Sequence, residues 1–136
     1  MEKKTSDKQQ TERIQVVLGV TPGYGHSNEE AADEAATFVA VVEAGIRLAG
    51  QVQKETEIYP SFHATPGKVG YSHDWGCPQG GEFVVALSGD RNPQFCNDPN
   101  TYLAAWTRFA ELLKKEFKQT TATLTRTEIE FLYLQD

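Results

Sequence analysis

A long helical pattern between about Asn28 and Val52 constrains the fold more than any other feature of this 136-residue chain. The capping-box spacing of Ser27 and Glu30 predicts that the helix begins there. Its apolar residues recur at helical spacing and form one stripe, made of Ala31, Ala35, Phe38, Val42, Ile46 and Ala49. A helix with one apolar face buries that face against another element, so the chain is expected to build a layered domain.

Short β-branched and apolar segments surround this helix. They predict strands at 13–20, 58–64, 68–72, 82–88 and 121–134, with a turn at Pro66-Gly67. A second helix is expected from the capping pair Asp98-Pro99 to about Lys118. It should bury Leu103, Trp106, Ala110, Leu113 and Phe117. The order of elements predicts an α+β fold, a mainly antiparallel sheet with two long helices on one face, similar to ferredoxin-like layouts.

The domain organisation follows from where the apolar residues begin. Residues 1–12 are almost wholly polar and are expected to form a disordered tail, which leaves 13–136 as a single ligand-binding domain. The last strand has apolar residues on both faces, namely Ile129, Phe131 and Tyr133 against Leu132 and Leu134. Because the helices cover only one face of the sheet, the other face is expected to meet a second copy in a homo-oligomer.

Composition narrows the class of partner and the compartment. The net charge is −6, from 19 acidic and 13 basic residues, which disfavours DNA as a partner. The apolar runs look too short to cross a bilayer, and the polar start of the chain does not resemble a signal sequence. Two cysteines, Cys77 and Cys96, fit reduced thiols. We therefore expect a cytoplasmic protein that does not bind a membrane.

The segment His73–Glu82 combines a tryptophan, three glycines and two carboxylates directly before a predicted strand. Glycine clusters mark sharp turns or close backbone approach, and they lose much conformational freedom when they are ordered. Exposed backbone, a large ring and polar groups together are typical of a small-molecule pocket. This segment is the first candidate for a binding site.

Catalytic and metal chemistry have weaker signals. His63, His73, Asp74 and Cys77 lack the paired spacing of a metal site, so no metal is expected. A Cys77 nucleophile is disfavoured because Pro78 removes the backbone donor that usually helps to bind the oxyanion. General acid–base chemistry by Glu82, Asp74 or His26 stays open, since one sequence does not show which groups approach one another. We assign no catalytic residue.

Binding of an adenine-containing phosphate has more candidates. A guanidinium forks onto phosphate oxygens, an aromatic ring stacks on a base, and an amide pairs with the adenine edge. The candidates, chosen by residue type, are Trp75, Phe83, Arg91, Asn92, Arg108 and Arg126.

The N-terminal strand, the first helix, the segment Asp74–Glu82, the second helix and the threonine-rich last strand together resemble the phage anti-Thoeris proteins. This resemblance implies a non-catalytic, oligomeric protein without a cofactor in the host cytoplasm. It would sequester cyclic ADP-ribose-type signals and, as some members do, cyclic oligonucleotides. The resemblance implies stacking on Phe83, an amide contact from Asn92 and a phosphate grip by Arg126 with Arg91 or Arg108. The alternative is a small α+β enzyme, an isomerase or a nucleotide-signal hydrolase, that uses Glu82 or His26.

Overall fold

The computed structural model describes residues 8–20 and 33–136. The elements, in chain order, are β1 (Lys8–Gly19), α1 (Glu34–Thr56), β2 (His63–Val69), β3 (Glu82–Asp90), α2 (Pro99–Glu116) and β4 (Thr123–Leu132), with one 3₁₀ turn at His73–Trp75. The strands form one sheet in the order β2-β3-β1-β4, and every neighbouring pair is antiparallel. Both helices pack on the same face of the sheet. The predicted α+β class and the ferredoxin-like order are confirmed.

The first helix buries a different face from the predicted one. Asp33 accepts a hydrogen bond from the Ala36 amide at its start. The buried residues are Val41, Ala44, Gly45, Leu48, Ala49 and Val52, so Ala49 is the one buried member of the predicted stripe within the described part of the helix, from Ala35 onward. Ile46 is 54% exposed. Apolar residues lie almost all round this helix, so its periodicity fits more than one stripe, and packing against the sheet selects one. The predicted start at Ser27 lies outside the described residues.

Within the described residues, α1 is the one helix that is long and apolar enough to cross a membrane, judged by length and composition alone. The expectation that every apolar segment is too short therefore does not hold for this helix. A core helix of a domain has the same composition, and Val41, Leu48 and Val52 are buried in the core cluster with residues of the sheet and α2.

The second helix begins and packs as its sequence predicts. Asp98 accepts hydrogen bonds from the Asn100 amide and from the Thr101 hydroxyl, and these lower the pKa of its carboxyl. Of the predicted core residues, Trp106, Ala110 and Leu113 are buried. Leu103 and Phe117 are partly buried, and Tyr102, Ala105 and Phe109 join them in the core. A polar cap followed by proline is a local signal, so it does not depend on the rest of the fold.

Two strand boundaries differ from the sequence prediction. Pro66-Gly67 does not form a turn but lies inside β2, where Pro66 is opposite Val85. This is possible because β2 is an edge strand, which tolerates a residue without a backbone donor. β1 begins at Lys8 instead of Arg13, so residues 8–12 of the expected tail pair with β4. Within this stretch Thr11 and Glu12 are buried, and both bond to Arg91: the Thr11 hydroxyl donates to its carbonyl, and the Glu12 carboxylate accepts from its guanidinium.

Alternation along the central strands separates two faces of the sheet. Ile14, Val16 and Leu18 of β1 are fully buried under the helices. The residues that alternate with buried ones along each strand, such as Val17 in β1 and Glu82 in β3, face the opposite side of the sheet. No helix of the described chain covers that side, which we call the open face.

Candidate functional site

A cavity of about 460 Å³ lies on the open face, in the size range of small-molecule sites. It is bounded by the end of β1, the start of β3, the end of β2 with the loop after it, and the segment before β4. Its lining includes Gly19, Val69, Tyr71, Trp75, Glu82, Val84, Gln119 and Thr123. Four separate stretches of sequence therefore meet at this point, which we call the Glu82 cavity.

Two side-chain oxygens come together over the backbone of Gly19. A Cβ atom built at Gly19 would lie 2.7 Å from Glu82 Oε2 and 2.7 Å from Gln119 Oε1. Gln119 Nε2 donates to the Phe117 carbonyl at 3.0 Å, which helps to fix the orientation of the amide. The missing side chain at position 19 thus allows a carboxylate and an amide oxygen to present two acceptors side by side.

The glycine-rich loop forms one wall of this cavity. Ser72 Oγ accepts from the Asp74 amide, which caps the 3₁₀ turn, and Gly76 leaves that turn at φ 92°. Gly81 has φ 93°, and a Cβ there would lie 3.2 Å from the Val69 carbonyl oxygen, so this position also requires glycine. The result is a folded loop that holds Trp75 at the mouth, with its side chain 71% exposed.

The electrostatics of the cavity favour a cationic ligand. Among the described residues that line the cavity, Glu82 is the one with a charged side chain. This described lining contains neither lysine nor arginine. The backbone of Glu82 pairs with Val69 in the sheet, but no hydrogen bond or ion pair joins its side chain to another residue within 8–20 and 33–136. Aromatic rings and a carboxylate together favour a ligand that carries both a planar ring and a positive charge. A phosphate would instead face a carboxylate without a compensating cation.

The structure does not bring the six predicted binding residues together. Trp75 lines the Glu82 cavity. Phe83 is only 6% exposed on the helix-covered face, where Lys68 Nζ lies 5.9 Å from its ring centroid. Asn92 lies beyond the other end of β3 and lines a different cavity. Phe83 is part of the core because it alternates with Glu82 and therefore points to the opposite face.

The three arginines are also separated, and two are occupied by carboxylates. Arg91 is buried against Glu12, with Nε 2.6 Å from Oε2, and this hydrogen bond raises the pKa of Arg91. Arg108 donates to Glu55 at 2.8 Å on the exposed side of the helices, which raises the pKa of Arg108 and lowers that of Glu55. Arg126 is exposed on β4 and lines a cavity apart from Trp75. No common phosphate grip forms.

Comparison with known proteins identifies the family. The family model described as SAM lyase matches residues 9–135. The chain belongs to the SAM lyase family. No curated protein matches it.

Two solved structures of phage SAM lyases share the fold. One is a phage SAM lyase in the apo state, 13% identical, with a TM-score of 0.55 over 93% of this chain and 86% of that chain. The other is a phage SAM lyase in complex with S-methyl-5'-thioadenosine, 15% identical, with a TM-score of 0.55 over 90% of this chain and 89% of that chain.

Membership of the SAM lyase family corrects the functional expectation. The predictions of a non-catalytic protein and of a cyclic ADP-ribose-type partner are wrong, because the family is one of enzymes that cleave SAM (S-adenosylmethionine). Of the resemblance to phage anti-Thoeris proteins, only a likeness in fold to phage proteins is found, since both structural neighbours are phage SAM lyases. The alternative expectation was an enzyme that uses Glu82 or His26. Glu82 lines the cavity, whereas His26 lies outside the described residues.

Sequence reasoning missed Gly19 and Gln119 as parts of the site. Both are ordinary residues at the ends of elements, and they reach Glu82 only through the sheet and the return of the chain from α2. The glycine at the end of a strand was the one available signal, because glycine there often marks close approach.

Proposed function

We propose that this protein cleaves SAM and releases S-methyl-5'-thioadenosine. The observation that carries the proposal is the Glu82 carboxylate in an aromatic cavity whose described lining has no cationic side chain. SAM combines a planar adenine with a sulfonium and an ammonium group, and so matches both features of the cavity. Family membership supports the same substrate.

The reaction breaks the bond between sulfur and the γ-carbon of the amino-acid part. The substrate's own carboxylate oxygen bonds to that carbon, while the electron pair of the C–S bond passes to sulfur. The products are neutral methylthioadenosine and homoserine lactone, and no proton is transferred. We prefer this route to elimination because the proton on the β-carbon is not activated, whereas the substrate's own carboxylate can reach the γ-carbon.

The role of Glu82 follows from which positive charge of SAM is lost during the reaction and which is kept. Because the sulfonium becomes neutral as the bond breaks, a carboxylate beside it would stabilise the substrate more than the transition state. The ammonium keeps its charge throughout the reaction. We therefore assign Glu82 and the Gln119 amide oxygen to the ammonium, where they would orient the amino-acid part for the internal attack. Trp75 and Tyr71 supply aromatic surface for the adenine.

An assay of SAM turnover tests this function directly. The purified protein should convert SAM into methylthioadenosine and homoserine lactone, which chromatography and mass spectrometry separate from an elimination product. S-adenosylhomocysteine is the matched control. It should remain uncleaved because its leaving group would be a thiolate instead of a neutral thioether. Recovery of intact SAM after prolonged incubation would reject the proposal.

We propose that this activity operates in the cytoplasm of a phage-infected host. The structural neighbours are phage proteins, and SAM is the methyl donor of the host cell. An enzyme that removes SAM would deprive methyl-dependent defence enzymes of their cofactor. Lower SAM levels in cells that express the protein, compared with cells that express an inactive variant, would support this role. Equal levels would argue against it.

We further propose that the protein self-associates through the open face of the sheet. The helices cover the opposite face, and the open face carries the mouth of the Glu82 cavity with the exposed Trp75 ring. Light scattering coupled to gel filtration should give a mass that is a multiple of the 15.1 kDa chain. A uniform 15.1 kDa species at the concentrations where SAM is turned over would contradict this expectation.

A further inference from the structure

A second cavity, of about 530 Å³, lies near the other end of the sheet. Residues that follow α1, the loop after β3, the first turn of α2 and the end of β4 all contribute to its lining, and we call it the Glu57 cavity. Thr123, which borders the Glu82 cavity, is eight residues before Phe131, which lines the second one. At about 3.3 Å per residue these two positions are roughly 26 Å apart, so the cavities are separate.

Aromatic side chains from three separate segments line the Glu57 cavity. Tyr59 follows α1, Phe95 lies in the loop after β3, and Phe131 and Tyr133 lie at the end of β4. Phe95 meets the Tyr133 ring edge-on, with centroids 6.0 Å apart and planes at 81°. Phe95 is 75% exposed and Tyr59 is 36% exposed, so a ligand can reach both from solvent. Aromatic rings attract cations, and clusters of such rings recognise quaternary ammonium groups.

Glu57 gives this cavity a negative charge that the described chain does not neutralise. No hydrogen bond or ion pair joins its side chain to another residue within 8–20 and 33–136. Asp90 also lines the cavity, but Arg13 pairs with it at 2.7 Å. The described lining contains neither lysine nor arginine. An anionic ligand would therefore be repelled by Glu57, whereas a cationic ligand would gain a counter-charge.

The backbone at Glu57 disfavours a glutamate, which points to a role for its side chain. Glu57 follows the last turn of α1 with φ 70° and ψ 4°, a left-handed conformation that favours glycine. The C-terminal end of a helix also carries a partial negative charge, so a carboxylate there is electrostatically unfavourable. Lys54 lies in the last turn but does not line the cavity. Glycine would suit both the backbone and the helix end better than glutamate does.

We infer that the Glu57 cavity binds a small organic cation of the quaternary ammonium class, with Glu57 as its counter-charge and the aromatic side chains around its alkyl groups. A divalent metal ion fits less well, because it takes about six oxygen ligands. Among the described residues, no group of three or more side chains could hold a metal ion. The inference does not rest on the proposed cleavage of SAM, because it uses different residues at the other end of the sheet.

Choline and its neutral carbon isostere, dimethylbutanol, test the inference because they share one shape and differ in the charge of one atom. The full-length Glu82→Gln protein is used, so that the Glu82 cavity does not compete for the cation. In an NMR titration, choline should bind about tenfold more tightly than dimethylbutanol, equivalent to about 1.4 kcal/mol. The choline methyl protons should show contacts with the rings of Phe95 and Tyr133.

Substitutions at Glu57 separate its charge from its backbone conformation. Glu57→Gln keeps the left-handed residue and should lower the choline affinity about tenfold, to that of dimethylbutanol. Glu57→Gly should weaken choline binding as much, while the protein unfolds at a temperature no lower than before, because glycine suits this backbone. Glu128→Gln is the matched control, since it removes an exposed carboxylate outside the lining of this cavity. It should leave the choline affinity unchanged.

Equal affinities for choline and dimethylbutanol would overturn the inference, as would an unchanged choline affinity in either Glu57 variant. A lower unfolding temperature in Glu57→Gly would also count against it, because the glutamate would then stabilise the fold itself. SAM turnover is scored separately with the wild-type protein. Failure of this inference and failure of the proposed function therefore give different results.

Discussion

Glu82→Gln is expected to lower kcat/KM for SAM cleavage about 100-fold while leaving the fold intact. The change keeps the side-chain shape but removes the charge that the ammonium would meet above Gly19. A hydrogen bond to a charged group contributes about 1.5–3 kcal/mol, and about 2.7 kcal/mol corresponds to a hundredfold change in rate. Release of methylthioadenosine under subsaturating SAM measures the effect. The thermal unfolding of the variant should match that of the wild type.

Two comparisons make this result specific to the ammonium. Glu128→Gln removes an exposed carboxylate from β4, outside the lining of the Glu82 cavity, and should leave turnover unchanged. A SAM analogue that lacks the ammonium should react slowly and at the same rate with the wild type and with Glu82→Gln. If Glu82→Gln lowered the rate equally for SAM and for the analogue, Glu82 would act elsewhere on the substrate. A variant within twofold of wild type on SAM would exclude Glu82 from the reaction.

Glu12→Gln is expected to destabilise the protein by about 3–5 kcal/mol. Glu12 and Arg91 form a two-pronged pair, at 2.6 and 3.1 Å, with both side chains only 8% exposed. Removing one partner leaves the buried Arg91 guanidinium without its counter-charge. The guanidinium also donates to the Cys96 carbonyl at 2.9 Å, but a neutral carbonyl does not supply a counter-charge. Urea denaturation monitored by tryptophan fluorescence measures the loss.

The exposed pair of Glu55 with Arg108 is the control for this experiment. Its side chains are 38% and 41% exposed, so water screens the pair and Glu55→Gln should destabilise the protein far less than Glu12→Gln. Replacing both Glu12 and Arg91 with methionine should recover most of the stability, because buried ion pairs are often replaceable by apolar residues. Equal losses for Glu12→Gln and Glu55→Gln would show that burial does not set the contribution of the Glu12 pair.

Local signals predicted the elements whose boundaries depend only on neighbouring residues. Asp98-Pro99 marked the start of α2, and Glu82 marked the start of β3. The same approach failed for α1 and β2. Pro66-Gly67 resembles a turn until its position at a sheet edge is known, and α1 carries apolar residues on several faces. In both cases a long-range contact decided between local possibilities.

The candidate site was predictable only in part, for a similar reason. The composition of the loop pointed to the region of Trp75 and Glu82, and both line the cavity. The Phe83 ring, to which stacking was assigned, lies on the helix-covered face because adjacent residues of a strand face opposite sides. The arginines were chosen by residue type, although Glu12 already engages Arg91 and Glu55 engages Arg108.

The sequence by itself determined the α+β class, the starts of α2 and β3 and the presence of an unusual loop before β3, because propensity, capping and glycine content act over a few neighbouring residues. Only the tertiary structure decided that Gly19, Glu82 and Gln119 meet and that the cavity lacks a cation from the described chain. Strand pairing and the packing of helices on one face set those contacts. They join residues that are far apart in the chain, and no local pattern records them.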